Sequence, residues 1–289
     1  MDFTRLVTVE TWDPDFLVRS PMFEPLRVNA AAAFPARWPE LADLQQLLEQ
    51  RSPPVRVAGG APLKVVAQGR KPAVLEDRYE ARIYLKGELQ VRSRNWHDLL
   101  NVLVWLAFPR AKAALNARHY AALLSQRAAG TANRGPAQDA LTLFDEGGVI
   151  VASNDGELLT LLRGFRWKEL FWDNRERVRE RMRFHLFGHA LYEKALAPFL
   201  GVTGRGILLE VEPGLLRAPL AEQLDQLDAR VAAHIAAPGS LSATRELAPV
   251  PILGVPGWCA ETERKDFYDD AEYFRPGRRT KGGRQKDEG

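Results

Sequence analysis

Two apolar helices that carry polar side chains occupy the middle of this 289-residue chain. The first is predicted to start near Asn95 and contains the apolar run from Leu99 to Phe108, interrupted by Asn101. Pro109 then suits the first turn of a second helix, where a missing N–H does no harm. A polar side chain on an apolar helix costs free energy unless it finds a partner. The segment therefore predicts either a buried hydrogen-bonded network or a functional site.

The polar residues of these two helices are the first candidates for catalytic groups, and they are His97, Asp98, Asn101, Lys112, Asn116 and His119. Residues four apart share one helical face, so each helix presents a polar stripe. If the stripes converge, His97 and His119 are candidate general bases or metal ligands, and Lys112 suits an anionic group such as phosphate. The structural alternative is that Asn95 caps the first helix and Asp98 complements its dipole, while the other side chains bond a neighbouring loop.

Two further segments have the two-residue period and glycine-containing turn of a β-hairpin, namely residues 79–91 and 141–152. The second hairpin would carry Asp145 and Glu146 on a rigid tip, where both are candidate metal ligands. Asp139, just before this hairpin, is a further candidate catalytic acid. The alternative is that these acids serve only as turn residues.

A helix predicted over 182–197 carries His185, His189 and Glu193 at four-residue spacing. Neighbours at this spacing can share one metal ion, whereas the two outer residues stand about 12 Å apart along the axis. Gly188 would permit close approach of another element to this helix. The alternative is that both histidines are satisfied core residues. With a divalent metal ion as the expected cofactor, the candidate ligands are Asp145, Glu146, His189 and Glu193.

The whole pattern predicts an α+β fold, with one predominantly helical domain over residues 1–274. Its small antiparallel sheet would be built from the hairpins near 79–91 and 141–152. Residues 157–200 are predicted to be strongly helical, and residues 275–289 to form a disordered basic tail. The clearest other elements are helices over 39–48 and 220–236 and a strand over 63–66.

Charge and composition limit the class of protein. The formal charge of the chain is +3, and residues 275–289 contain six basic and two acidic residues, so the rest carries 3 − 4 = −1. A nearly neutral body argues against a nucleic-acid-binding face and leaves only weak polyanion contact through the tail. A single cysteine, Cys259, excludes an internal disulfide. Without a secretory signal or a membrane-spanning run, we expect a cytoplasmic protein with no membrane association.

Five motifs together resemble a family of uncharacterised bacterial proteins known only as a domain of unknown function. They are NWHDLLN at 95–101, FPRAK at 108–112, DALTLFDE at 139–146, GHAL at 188–191 and VPGW at 255–258. The resemblance extends from about residue 20 to 275. It implies a bacterial origin and one continuous domain, and it implies no activity.

Three hypotheses about function follow from these features. The leading one is a hydrolase that uses a divalent metal or a His/Asp pair on a small-molecule or phosphate-containing substrate. The alternative is a non-catalytic binding or scaffold protein whose polar residues form a buried structural network. The third is a weakly RNA-associated protein that acts through its tail and the arginine-rich segment 175–183. Convergence of the polar side chains around one cleft would favour an active site.

Overall fold

A computed structural model describes residues 11–30, 34–69, 74–131 and 133–277. The α-helices are α1 (Glu24–Arg27), α2 (Leu41–Gln50), α3 (Tyr79–Lys86), α4 (Trp96–Ala107), α5 (Pro109–Ala128), α6 (Pro136–Gly147), α7 (Gly156–Arg163), α8 (Arg175–Arg181), α9 (His189–Leu196) and α10 (Leu220–Ala236). The strands are β1 (Lys64–Ala67), β2 (Glu88–Val91), β3 (Gly148–Ser153), β4 (Met182–Leu186), β5 (Thr203–Glu210) and β6 (Ala248–Pro251). The predicted α+β class with predominant helix is confirmed.

The described strands form two small sheets, and neither is the predicted antiparallel sheet of hairpins. In the first sheet β1 and β2 pair in parallel. The second sheet has the order β4-β3-β5-β6, in which β3 runs parallel to β5 and antiparallel to β4. Every residue of β3 is buried, as is typical of a strand covered on both faces. This strand therefore lies at the centre of the core.

The predicted hairpin over 79–91 is wrong, because its first half is helix α3 and only its second half, β2, is a strand. Gly87 ends the helix at φ +67°, and its N–H donates to carbonyls of the last helical turn. A side chain at Gly87 would overlap the carbonyl oxygen of Pro62. Glycine marks a change of direction in both a helix C-cap and a hairpin turn, so the sequence signal was ambiguous.

The predicted hairpin near 141–152 is also wrong, since α6 continues through its first half and leads directly into β3. Leu141 and Phe144, three positions apart, are both buried on the inner face of α6. Four alternating residues fit a strand and a helix equally well, and the tertiary packing decides between them. Asp145 and Glu146 consequently lie in the last turn of a helix rather than at the tip of a hairpin.

The predicted helix over 182–197 is divided between two elements. Residues 182–186 form β4, where His185 is the partner of Ile150 in β3, and α9 begins only at His189. The two histidines therefore do not share a helical face and are not a ligand pair. By contrast, α2, α4, α5, α10 and β1 confirm the elements predicted at those positions.

The arginine-rich segment 175–183 is engaged within the fold. Four of its arginines form ion pairs with acidic residues, and the fifth, Arg183, donates to backbone carbonyls. These guanidinium groups are thus already occupied by intramolecular partners. Most of the predicted basic tail, residues 275–289, lies outside the described residues, which end at Gly277. No helix in the described part of the chain has the length and apolar character that a membrane span requires.

Candidate metal centre

A cleft of about 850 Å³ collects most of the predicted site residues. Its volume falls in the range usual for small-molecule sites. The lining comes largely from the successive helices α3, α4, α5 and α6, and from α9, which follows about forty residues later. The predicted residues that line the cleft are His97, Asp98, Asn101, His119, Asp145, Glu146 and His189. These seven side chains therefore share one cleft, which is the arrangement that would favour an active site.

Three helix ends bring His97, Glu146 and His189 together, and we call these residues the His–Glu cluster. They lie in the first turn of α4, the last turn of α6 and the first turn of α9. The Nε2 atoms of the two histidines are 3.0 Å apart, and His189 Nε2 is 3.6 Å from Glu146 Oε2. One potential ligand atom from each residue lies within 4.8 Å of the other two.

Gly188 sets His189 against the end of α6. The Gly188 N–H donates to the Gly148 carbonyl at 2.9 Å. A Cβ atom on Gly188 would overlap the Glu146 carbonyl oxygen and the Gly148 nitrogen. Only glycine allows two backbone segments to approach this closely. The predicted role of Gly188 is confirmed, and the close approach positions two members of the His–Glu cluster.

Glu193 orients His97 from the side opposite His189. His97 Nδ1 lies 3.0 Å from Glu193 Oε2, and an ionised carboxylate can only accept, so the imidazole donates. This hydrogen bond raises the pKa of His97 even though partial burial opposes the shift. With Nδ1 protonated, the neutral ring directs the lone pair of Nε2 towards His189. Glu193 therefore bonds to His97 and is not part of the group of possible metal ligands around His189.

His189 is neutral at pH 7, because burial lowers its pKa to about 3. Two imidazole Nε2 atoms at 3.0 Å need a proton or a cation between them. The backbone carbonyl of Asp145 favours the protonated form of the His189 ring. His189 Nδ1 nevertheless makes no hydrogen bond to a described residue. A proton on Nδ1 would leave both Nε2 lone pairs pointing at one position. Burial also raises the pKa of Glu146, as expected for an incompletely compensated carboxylate.

The donor set and spacing of the His–Glu cluster fit a divalent transition metal. Imidazole nitrogens and a carboxylate oxygen are common ligands of zinc and of iron(II). Metal–ligand bonds of about 2.0–2.2 Å would place adjacent donor atoms roughly 3.0–3.6 Å apart. The two measured separations, 3.0 Å and 3.6 Å, agree with that geometry. Three protein ligands would leave a coordination position open to the cleft.

Asp145 belongs to a separate ion pair. Lys112 Nζ lies 2.5 Å from Asp145 Oδ1 and 5.6 Å from the centre of the Trp105 ring. Burial opposes ionisation of Asp145, but the charge of Lys112 outweighs it and lowers the pKa of Asp145 to about 2. The Lys112 side chain is only 4% exposed. The structure therefore separates Asp145 from Glu146 and leaves Lys112 occupied, rather than available to neutralise a substrate.

Asn101 and Asn116 find partners on α3 that the sequence analysis missed. Asn101 Nδ2 donates to Tyr79 Oη at 2.7 Å, and Asn116 Nδ2 donates to Glu80 Oε2 at 2.7 Å. Burial raises the pKa of Glu80. Tyr79 and Glu80 also line the cleft. Two asparagines on apolar helices already implied partners nearby, but the assignment of 79–85 to a strand concealed them.

Three other predicted site residues have different surroundings. Asp98 accepts from the backbone and guanidinium of Arg92 at 2.7–2.8 Å, so it braces the turn before α4. His119 is buried and lines the cleft. Asp139 is exposed in the first turn of α6, outside the cleft lining, where a carboxylate complements the helix dipole. The structure thus does not bring Asp139 to the other candidates.

Fold and cleft together define an α+β protein with a candidate metal centre. The chain belongs to the family described as protein of unknown function (DUF3025), whose family model matches residues 63–278. The resemblance found in the sequence motifs is confirmed over that range. Comparisons with curated proteins and with solved structures give no match.

Proposed function

We propose that this protein is a metal-dependent hydrolase in which His97, Glu146 and His189 hold a divalent cation at the cleft. The observation that supports it is the approach of three metal-ligating side chains, from three separate helix ends, to within 4.8 Å of one another. A bound cation would polarise a carbonyl or phosphoryl oxygen of the substrate. Gly188 and Glu193 would hold two of the ligands in place.

His119 is the general base in this proposal. Its side chain makes no hydrogen bond to a described residue, and its ring nitrogens are not among the fully buried polar atoms. The ring is therefore open to the cleft that it lines. A neutral imidazole in this position can accept a proton from a water molecule that attacks the substrate. His97 is less suited to that role, because the His–Glu cluster uses its Nε2 and Glu193 uses its Nδ1.

The alternative hypothesis of a structural network describes other polar groups better. The hydrogen-bonded pairs are Lys112 with Asp145, Asn101 with Tyr79, and Asn116 with Glu80. They tie α3, α4, α5 and α6 together around the cleft. We propose that this network is the scaffold of the site, and we assign chemistry only to the His–Glu cluster and His119. A mechanism that uses a His/Asp pair loses support, because Asp98 and Asp145 are already ion-paired with Arg92 and Lys112.

Metal binding tests the proposal first. Chelator-treated protein is titrated with Zn²⁺, Mn²⁺ and Fe²⁺ by calorimetry, and thermal unfolding is followed in parallel. We expect one ion per chain, and about 2.7 kcal/mol of stabilisation at a free metal concentration one hundred times Kd. His97→Ala, Glu146→Gln and His189→Ala should each weaken binding at least about tenfold. His234→Ala, at an exposed histidine of α10, is the matched control and should bind like wild type.

Hydrolysis is then measured on metal-loaded protein with 4-nitrophenyl acetate and 4-nitrophenyl phosphate. We expect metal-dependent release of 4-nitrophenol, which His119→Ala lowers about a hundredfold or more without weakening metal binding. Metal binding that the three ligand variants leave unchanged, or no binding at all, overturns the metal centre. Metal binding without turnover of either probe, or Fe²⁺-dependent oxygen consumption in its place, overturns the assignment as a hydrolase.

A further inference from the structure

The acidic side chains that line the cleft are compensated within the fold. Three of them form ion pairs, which are Asp98 with Arg92, Asp145 with Lys112, and Asp77 with Lys86. A fourth, Glu80, is half-buried and accepts a hydrogen bond from Asn116. The fifth, Glu146, is the anionic member of the His–Glu cluster. None of these carboxylates is left to attract a cationic substrate once the cluster holds its metal.

Two arginines of the cleft lining, by contrast, have guanidinium groups that are not engaged in ion pairs with described residues. Arg78 is the N-cap residue of α3, and Arg134 lies just before α6, so the two reach the cleft from different elements. Both residues are exposed, and neither forms an ion pair with a residue in the described ranges. The free positive charge of the cleft is therefore carried by arginines at its edge. It is not carried by Lys112, which the sequence pattern had favoured.

The balance of charge indicates which ligand these arginines would accept. Two guanidinium groups and a divalent cation, less the charges of Glu80 and Glu146, give 2 + 2 − 2 = +2 in the metal-loaded cleft. A phosphoryl dianion offsets more of that charge than a carboxylate does. Guanidinium donors also match phosphate oxygens in a bidentate arrangement. The amides of Gln68 and Gln90, which line the same cleft, add neutral hydrogen-bond donors.

We propose that Arg78 and Arg134 bind a phosphoryl group and that the substrate is a phosphate ester. The reaction part of this inference rests on the proposed function, whereas the anion-binding part does not. In hydrolysis of a phosphate monoester, a bond forms between phosphorus and the water oxygen, and the bond from phosphorus to the ester oxygen breaks. His119 takes a proton from the water, and the departing alkoxide takes a proton from solvent. No oxidant or second substrate is required.

Inorganic phosphate is the probe that tests the anion site, with sodium acetate as the carboxylate comparison. Both are titrated calorimetrically into wild type, the double variant Arg78→Ala/Arg134→Ala, and Arg127→Ala. Arg127 is an exposed arginine that pairs with Glu76 outside the cleft lining, so it is the matched control. We expect the double variant to bind phosphate at least about tenfold more weakly and the control to match wild type. All three proteins should unfold at similar temperatures, because the substituted side chains are exposed.

Kinetics and the metal-free protein separate this inference from the proposed function. With 4-nitrophenyl phosphate the double variant should show a raised KM and a smaller change in kcat, while its KM for 4-nitrophenyl acetate stays unchanged. His189→Ala should lose metal and keep phosphate binding. If metal does not bind but the double variant still weakens phosphate binding, the proposed hydrolase function is refuted and the anion site is supported. Phosphate binding that is absent, matched by acetate, or unaffected in the double variant overturns the anion site, even when the metal binds.

Discussion

Replacement of Lys112 by methionine tests whether its ion pair with Asp145 is structural. Methionine keeps the length and apolar stem of lysine but removes the charge. Asp145 would then be left in a largely buried position without its cation, which lies 2.5 Å away in the native protein. Loss of one partner of a buried ion pair is far more destabilising than loss of the whole pair. The variant should therefore fold with a much reduced free energy of unfolding.

The expected size follows from the surroundings of Asp145. Its pKa is lowered from 3.8 to about 2, which corresponds to about 2 to 3 kcal/mol of stabilisation of the ionised form. Breaking a buried ion pair costs about 3 to 5 kcal/mol. Because the Asp145 side chain keeps 21% of its exposure, we expect a loss near the lower limit, about 3 kcal/mol at pH 7. Lys112→Met combined with Asp145→Asn should recover more than half of that loss.

Guanidinium chloride unfolding of metal-free protein measures the effect. Lys168→Met is the matched control, because Lys168 pairs with Asp269 where the side chains are 35% and 58% exposed. An exposed pair of this kind contributes less than about 1 kcal/mol. If Lys112→Met loses no more stability than Lys168→Met, the pair is not structural. Lys112 would then again be a candidate for contact with an anionic substrate.

Two further predictions concern the backbone at the site and the response to acid. Gly188→Ala should cost about 1 to 3 kcal/mol, since its Cβ would overlap the backbone of Glu146 and Gly148, and it should also weaken metal binding. Gly214→Ala, where a Cβ has nothing within 4 Å, is the control, and equal stability of the two variants would contradict the packing argument. Burial, with a smaller contribution from the charge of Arg183, lowers the pKa of His185 from 6.5 to about 4, so the unfolded chain binds more protons between those pH values. Wild-type stability should thus fall by about 3 kcal/mol on this account as the pH drops from 6.5 to 4. His185→Leu should flatten that part of a pH series of urea unfolding curves, and an unchanged slope would count against a neutral His185.

Sequence patterns predicted the long helices well, because their signal is local and repeated. The spacing of apolar residues covers several turns in α2, α4, α5 and α10, and Asn95 caps α4 by accepting from the Asp98 N–H, as expected. The errors came from short segments. Four to seven alternating residues in α3 and α6, followed by glycine, fit a strand with a turn as well as a helix with a cap. Burial against the rest of the protein decides such cases.

The side chains of the candidate site show the same contrast between what local sequence predicts and what tertiary packing decides. The residue types of the His–Glu cluster were all singled out from the sequence, because ionisable groups on apolar elements demand partners. The contacts among these residues were not predicted. Spacing along the sequence predicted the pairs Asp145 with Glu146 and His189 with Glu193, because it reports only on neighbouring residues. In the structure Asp145 binds Lys112, Glu193 binds His97, and Glu146 approaches His189.

Local chemistry along the chain was thus sufficient to determine which segments are helical over long stretches, which ionisable residues need partners, and where Gly188 must permit close contact. Only the tertiary structure decided which of these ionisable side chains lie within contact distance of one another. That outcome depends on how the ends of α4, α6 and α9 pack against one another. Distances between those ends are set by the shapes of buried side chains throughout the core, and no sequence spacing encodes them.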